Sequence, residues 1–350
     1  MSKKLMVEKS VCTTRLSEKY KIKVEKKMRK GLKQVLSTSA VLVGLMALTA
    51  CANTQPDEKV AQDEPEAKKI TVTHDYGETE VSEEPKNVVV FDLGVLDALD
   101  YMGVGDDVVG LPLSGTLPAH LSKYESEDYA NAGSLKEPDL EAVYEMNPDL
   151  IIISGRQSAY YDELSEIAPT IYMGIDTEDY LASFEENMTV LGDIFNKEDV
   201  VEKGLKEVSE KIEALNKEVT AQDLNALVVL TNEGSVSAYG ANSRFGIIHN
   251  NFGFLEADNN LEEGSVHGSK VSFEYIKDIN PDYLFVIDRG AVVGGEVDAS
   301  GTLDNELINS TDAAKNGNIV YLDAAVWYTA TGGFNSTLKM VDEVLEAVEK

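Results

Sequence analysis

The chain has 350 residues, enough for two domains, and its hydrophobic content of 43% is that of an ordinary globular protein. Residues 1–50 hold 12 of the 31 Lys+Arg but only 3 of the 62 Asp+Glu, so the remainder carries 19 basic and 59 acidic side chains, a net charge of −40. Such a surface repels nucleic acid and anionic lipid, and we exclude both as direct partners.

Cysteine occurs only as Cys12 and Cys51, and neither has the C-x-x-C partner of a thiol metal site or redox pair. Cys51 follows a basic segment and an apolar stretch of roughly 14 residues, too short for a mature membrane span but suited to a secretory h-region. The run Leu48-Thr49-Ala50-Cys51 resembles a bacterial lipobox, in which the cysteine becomes the lipidated N-terminus. The alternative is a buried helix that ends in cysteine.

This pattern predicts a lipoprotein signal peptide over residues 28–50. Met28 is the more typical start of such a signal, and residues 1–27 are then an extension; both Met1 and Met28 stay open as starts. Residues 51–69 are charged and predict a lipidated, disordered acidic tether. The expected location is the extracytoplasmic face of the cell membrane, attached through the lipid anchor only.

Residues 70–195 predict an α/β lobe, because short apolar runs alternate with helical segments. The expected strands are Ile70–His74, Val88–Phe91, Val108–Gly110, Leu150–Ser154 and Thr170–Met173. Continuous runs of Ile and Val are typical of a parallel sheet that is covered on both faces.

Residues 196–219 predict a single helix of about 35 Å, because apolar residues recur every three and four positions. Asn196 with Asp199 indicates its start. Residues 220–350 predict a second α/β lobe, with strands at Ala226–Thr231, Tyr283–Ile287 and Asn318–Leu322. The expected fold class is α/β, with two Rossmann-like lobes joined by a single long rigid α-helix.

One segment occurs twice, as N-P-D-L-I-I-I-S-G-R over Asn147–Arg156 and as N-P-D-Y-L-F-V-I-D-R over Asn280–Arg289. The likeness extends upstream, where Glu141 and Glu274 occupy equivalent places. Two copies so far apart indicate two similar lobes rather than a solenoid. The matched glutamates either stabilise helix N-termini through the macrodipole or form acidic knobs for a two-fold symmetric partner.

After Cys51 the chain has only three arginines, Arg156, Arg244 and Arg289. Arg156 and Arg289 follow predicted strand ends, where ligands bind in open α/β sheets, and Arg244 lies in a polar loop of the second lobe. A guanidinium group is always charged and donates hydrogen bonds in a planar fork suited to anionic oxygens. We therefore predict a shared anion site; the alternative is three surface ion pairs.

Three further residues are candidates for ligand contact. His267 lies in a glycine-flanked loop, where a histidine is usually just solvated, and Trp327 and Tyr328 follow a strand, where aromatic residues serve the core or a ligand. No G-x-S-x-G or H-E-x-x-H motif is present, and the mature chain has no candidate cysteine nucleophile. We therefore predict a protein that is not an enzyme.

The lobes, linking helix and lipobox resemble the solute-binding lipoproteins of bacterial iron-siderophore ABC importers, in the class (class III) whose lobes are joined by one helix. The resemblance runs from about Pro85 to the C-terminus and is strongest to the subgroup that binds catecholate siderophores, petrobactin among them. The stretches that carry it are Asn87–Asp92, Gly133–Pro138, Ile153–Gln157, Ser243–Gly246 and Val286–Gly290.

The resemblance implies a receptor that binds a ferric catecholate siderophore between its lobes and delivers it to an ABC permease dimer. It implies that the three arginines contact catecholate oxygens, that His267 and Tyr328 match positions that bind iron directly in some relatives, and that Glu141 and Glu274 dock onto the permease. No intrinsic cofactor and a monomeric state are expected. The alternative ligands are a hydroxamate siderophore, haem or cobalamin.

Overall fold

The structure is a computed structural model and describes residues 68–261 and 268–350. The predictions for Cys51, for the signal and tether up to residue 67, and for His267 lie outside the described residues. The strands are β1 Lys69–His74, β2 Gly77–Ser82, β3 Val88–Val90, β4 Val108–Leu111, β5 Ala130–Asn131, β6 Leu150–Ile153, β7 Thr170–Tyr172, β8 Asn225–Asn232, β9 Ser235–Tyr239, β10 Leu255–Glu256, β11 Ser269–Val271, β12 Tyr283–Asp288 and β13 Ile319–Leu322.

The α-helices are α1 Leu93–Tyr101, α2 Leu140–Glu145, α3 Tyr161–Ser165, α4 Tyr180–Phe195, α5 Glu198–Ala221, α6 Ile247–Asn250, α7 Phe273–Ile279, α8 Gly290–Val293, α9 Ala299–Leu303, α10 Glu306–Asn309, α11 Asp312–Asn316 and α12 Phe334–Val348. Short 3-10 helices cover Gly105–Asp107, Ala119–Glu125 and Gly155–Tyr160, and Ala325–Thr329 forms a π-helical turn. Within the described ranges, no helix combines the length and apolar character needed to cross a membrane.

The first lobe contains a five-stranded sheet of order β5-β4-β3-β6-β7 in which every pairing is parallel. Successive residues of its central strands enter different cores: Leu150 and Ile152 pack on one face, and Ile151 and Ile153 on the other. Because both faces are covered, the strand sequences are continuously apolar, as predicted.

The second lobe has a mixed sheet of order β11-β9-β8-β12-β13, with β10 beside β8. Strands β8, β12 and β13 are parallel, whereas β9 returns antiparallel to β8 and was not predicted from the sequence. The two residues between β8 and β9, Glu233 and Gly234, have φ of 48° and 73°. Positive φ at both positions is the requirement of a type I′ hairpin turn, but Glu-Gly is not its usual sequence signal.

The helix α5 links the two lobes, and its start differs from the prediction. Asn196 has φ 52° and ends α4, so α5 begins at Glu198. Asparagine tolerates the left-handed conformation as well as the N-cap, so the residue type alone indicated the wrong helix. The apolar stripe of α5 belongs to one hydrophobic core with residues of both sheets, and α12 packs against α5 and α1.

The repeated Asn-Pro-Asp segments have the same structure in both lobes. Asn147 and Asn280 take φ of 47° and 48° where α2 and α7 end. Asp149 then accepts hydrogen bonds from the amides of Lys86 and Asn87 before β3, and Asp282 accepts from the amide of Asn225 at the start of β8. Each aspartate therefore fixes the strand that carries its lobe's arginine, β6 or β12, to the neighbouring central strand.

Candidate functional site

The structure brings the three predicted arginines together around Tyr328. Arg156 follows β6, Arg289 follows β12, and Arg244 lies in the loop after β9. Nη2 of Arg156 and Nη2 of Arg244 donate to the Tyr328 carbonyl at 2.6 and 2.8 Å, while Nε of Arg289 donates to the Tyr328 hydroxyl at 3.0 Å. Three charges from two lobes therefore meet at one residue.

The Tyr328 ring is also surrounded by these charges. The guanidinium carbons of Arg244, Arg289 and Arg156 lie 4.4, 5.8 and 5.9 Å from the ring centroid, within cation–π range. Burial raises the pKa of the Tyr328 phenol, but the Arg289 hydrogen bond and the three positive charges outweigh it, so this pKa is lowered overall. The site stabilises negative charge on an oxygen.

The arginines lack the partners that surface ion pairs would provide. Every ion pair within residues 68–261 and 268–350 involves lysine or histidine, so none of the three arginines has a carboxylate partner there. The Nε of Arg244 is buried without a hydrogen-bond partner in the described chain. Burial, followed by the repulsion of Arg156, lowers the pKa of the Arg244 guanidinium.

A cavity of about 310 Å³ opens beside this cluster. The residues lining it come from both lobes: Lys136, Leu230, Asn232, Ser235, Ser237, Tyr239, Arg244, Arg289 and Tyr328. Lys136, from the first lobe, adds a fourth cation to the three arginines. It is one of sixteen lysines after Cys51, and its sequence position alone does not distinguish it. The serines and Asn232 come from the unpredicted β8–β9 hairpin.

The turn that carries Arg156 is tied to the loop that carries Lys136. Gln157 is fully buried; its Oε1 accepts from the Ser154 amide and its Nε2 donates to the Leu135 carbonyl. Gln157 therefore supports both cations of the first lobe, Arg156 and Lys136, a role that the sequence Ser154-Gly155-Arg156-Gln157 does not indicate by itself.

Trp327 does not line this cavity, and its position favours the core over a ligand contact, the two roles that the sequence left open. Its side chain is fully buried, it lies 6.4 Å edge-on from Phe252, and its Nε1 donates to Glu343 at 2.8 Å. Neighbouring residues of a helical turn point in different directions. Tyr328 therefore faces the cavity while Trp327 packs in the core.

A larger groove, of about 740 Å³, lies between β1, the segment after β7 and α4. Its lining includes the carboxylates of Asp75, Asp176, Asp179 and Glu186, which do not suit an anion. Within the described residues no group of three or more His, Cys, Asp or Glu side chains is placed to hold a metal ion. The arginine cavity is therefore the better candidate for an anionic ligand.

Glu141 and Glu274 occupy matching places, each 15 residues before the arginine of its lobe, Arg156 or Arg289. Each is exposed at the second residue of its helix, after the N-cap residues Asp139 and Ser272. Hydrogen bonds with its own backbone and with Ser272 lower the pKa of Glu274. The two carboxylates thus lie exposed on equivalent helices of the two lobes.

Comparison with known proteins places the chain in a family. The profile described as periplasmic binding protein matches residues 88–326. The petrobactin-binding protein YclQ of Bacillus subtilis is 45% identical over 311 residues, 88% of this chain and 97% of the relative. Its crystal structure has a TM-score of 0.79 at 46% identity and covers 81% of this chain and 99% of that chain.

Two Vibrio proteins extend the comparison. The ferric-anguibactin-binding protein FatB of Vibrio anguillarum is 31% identical over 324 residues, 90% of this chain and 98% of the relative. The periplasmic catecholate-siderophore binding protein VctP of Vibrio cholerae has a TM-score of 0.74 at 37% identity, covering 80% and 100% of the two chains. These matches confirm the resemblance and the two-lobed fold. The chain belongs to the periplasmic binding protein family.

Proposed function

We propose that this protein is an extracytoplasmic receptor for a ferric catecholate siderophore, which it binds between its lobes and delivers to an ABC permease for iron uptake. The observation that carries the proposal is the convergence of three guanidinium groups, without carboxylate partners in the described chain, on Tyr328. The relatives YclQ and VctP, named as petrobactin-binding and catecholate-siderophore binding proteins, support the same ligand class.

The charge of the ligand fits this site. Three catecholates contribute roughly six negative charges and Fe(III) three positive ones, which leaves about −3 on the complex, and oriented cationic donors hold such oxygens. Three arginines balance that charge. They also make the cavity a local positive region in a protein of otherwise acidic surface, where a hydroxamate complex near neutrality would gain little.

Direct coordination of iron by Tyr328 is part of the proposal for siderophores that leave coordination positions open. The lowered pKa of Tyr328 favours the phenolate, the form that binds a metal. His267 is proposed as a second ligand from the family resemblance alone. Iron here is cargo, and no intrinsic cofactor or catalytic step is proposed.

Cys51 is proposed as the lipid anchor, residues 51–69 as the tether, and Glu141 and Glu274 as the carboxylates that dock the two lobes onto the permease. A division into an N-terminal lobe up to residue 195, the connecting helix α5 Glu198–Ala221 and a C-terminal lobe after it is proposed with them. The exposure of both glutamates on equivalent helices supports a two-fold symmetric partner. We propose that the receptor itself is a monomer.

Titration of the purified soluble domain, from residue 68 onward, with ferric petrobactin and with ferric hydroxamate, haem and cobalamin tests the ligand class. The lone tryptophan, Trp327, is adjacent to Tyr328 in the chain, so an iron–catecholate complex in the cavity should quench its fluorescence. We expect saturable quenching with ferric petrobactin and none with the other ligands. Binding of haem or cobalamin with no response to ferric petrobactin would contradict the proposal.

A further inference from the structure

The β1–β2 hairpin holds an exposed aromatic side chain against the first lobe. Its strands pair antiparallel from Lys69 with Ser82 to His74 with Gly77, and Tyr76 lies at the tip. Tyr76 is 42% exposed, yet its ring stacks on Tyr161 with centroids 4.1 Å apart and planes inclined by 15°. Tyr76 is not part of the hydrophobic cores on the two faces of the first-lobe sheet.

Tyr76 contacts the segment that immediately follows Arg156. Its hydroxyl donates to the Ser158 carbonyl at 3.3 Å, and Ser158 belongs to the same 3-10 turn as Arg156, Gly155–Tyr160. Tyr161, the stacking partner, is the first residue after that turn. The Tyr76 side chain therefore holds the C-terminal end of the turn by two contacts, the ring stack on Tyr161 and the hydrogen bond to Ser158.

The other end of the turn meets the same aromatic cluster. The ring of Tyr172 lies edge-on to Tyr76 at 5.7 Å, and its hydroxyl would be 3.6 Å from a Cβ added at Gly155. A 3-10 turn has poorer hydrogen-bond geometry than an α-helix, so its conformation depends more on outside support. Buried Gln157 supports the inner side, and the aromatic cluster supports the outer side.

We propose that Tyr76 is a positioning residue for ligand binding: its contacts with Tyr161 and Ser158 hold the turn that aims Arg156 across the cleft. This inference rests on the proposed function and deepens it, because it assigns a binding role to a hairpin outside the cavity. Removing the ring should loosen residues 155–161 and weaken the affinity for a ferric catecholate about two- to tenfold, the usual effect of one aromatic pair.

The test compares Tyr76→Ala with Tyr76→Phe, which keeps the stack and loses the hydroxyl. Tyr321→Ala is the matched control, because Tyr321 is 49% exposed on β13 and has no aromatic pairing among the described residues. The first readout is backbone hydrogen exchange in the ligand-free protein. We expect the fastest exchange over residues 155–161 in Tyr76→Ala, a smaller increase in Tyr76→Phe, which loses only the Ser158 hydrogen bond, and wild-type exchange in Tyr321→Ala.

The second readout is ferric petrobactin affinity in a double-mutant cycle with Arg156→Ala. If Tyr76 acts through Arg156, then Tyr76→Ala weakens binding in the wild-type background and has no further effect when Arg156 is already absent. Unchanged exchange in Tyr76→Ala, or an equal loss of affinity in both backgrounds, overturns the inference. Absence of ferric petrobactin binding to wild type would instead overturn the proposed function, and the exchange result would still decide whether Tyr76 positions the turn.

Discussion

Arg244 should lower the stability of the ligand-free protein while it raises affinity for the ligand. Its guanidinium is held next to Arg156, has a buried Nε without a partner in the described chain, and gains one hydrogen bond to the Tyr328 carbonyl. That carbonyl also accepts from Arg156, so it stays satisfied if Arg244 is replaced. Arg244→Met removes the charge and the unsatisfied donor but keeps an apolar stem against the Tyr328 and Phe245 rings.

The magnitudes follow from these contacts. A donor buried without a partner costs about 1–3 kcal/mol. The lost hydrogen bond had contributed only about 1 kcal/mol, less than is usual for a charged donor, because Arg156 shares the same acceptor and keeps it satisfied. The free energy of unfolding of ligand-free Arg244→Met should therefore lie between the wild-type value and about 2 kcal/mol above it, which raises the melting temperature by up to about 4–8 °C. A hydrogen bond to a charged group contributes about 1.5–3 kcal/mol, so affinity for ferric petrobactin should fall about 10- to 150-fold.

Thermal unfolding of the ligand-free protein and titration by tryptophan quenching measure the two effects. Arg244→Lys is the control, because it keeps the charge and loses the planar fork. It should weaken binding without the gain in melting temperature. A clear fall in the melting temperature of Arg244→Met, or unchanged affinity, would refute the argument that Arg244 is held in place for the ligand.

Three further predictions concern the cleft and the two helices that carry Glu141 and Glu274. Lys136→Ala should weaken ferric petrobactin binding by a few-fold at low salt and less at high salt, because its exposed charge is screened; titration at two ionic strengths checks this, and equal losses contradict it. The pKa of Tyr328 is lower in the folded protein than in the unfolded chain, where it is about 10. The Tyr328 phenolate therefore adds to the free energy of unfolding as the pH rises from the folded pKa to the unfolded pKa. Urea unfolding should therefore show a gap between wild type and Tyr328→Phe that widens across this window, and a constant gap would exclude the shift. Glu141→Arg combined with Glu274→Arg should leave ferric petrobactin affinity unchanged and abolish cellular iron uptake; normal uptake would rule out docking by these carboxylates.

The arginine cluster could be predicted because the chain repeats itself and contains so few arginines. Arg156 and Arg289 end equivalent segments, and the carboxyl ends of parallel strands meet at one sheet edge. Arg244 has no repeat partner, and it was singled out by its rarity, by its polar loop and by the resemblance of Ser243–Gly246. Tyr328 was a candidate together with Trp327, and the sequence could not separate two neighbours that differ only in direction along a π-helical turn.

Other parts of the site depend on contacts that sequence patterns do not encode. Lys136 is one lysine among many, and its place beside the arginines follows from the cavity lining and from the Gln157–Leu135 hydrogen bond, which joins its loop to the Arg156 turn. The β8–β9 hairpin lacks an Asn-Gly or Asp-Gly turn, so the sequence did not predict the hairpin or the serines by which it lines the cavity. The end of α4 at Asn196 was mistaken for the start of α5 because the residue suits both positions.

The distribution of positive charge gives a reason for the two-lobed design. The first lobe contributes Arg156 and Lys136 to the cleft, and the second contributes Arg244 and Arg289. Approach of the lobes brings these like charges together, and the guanidinium groups of Arg156 and Arg244 already share the Tyr328 carbonyl as acceptor. An anion between them converts that repulsion into attraction from both sides, and so binds the closed arrangement more tightly than the open one. A ligand shifts a conformational equilibrium by its difference in affinity for the two states, so an anionic ligand favours the arrangement in which both lobes contact it.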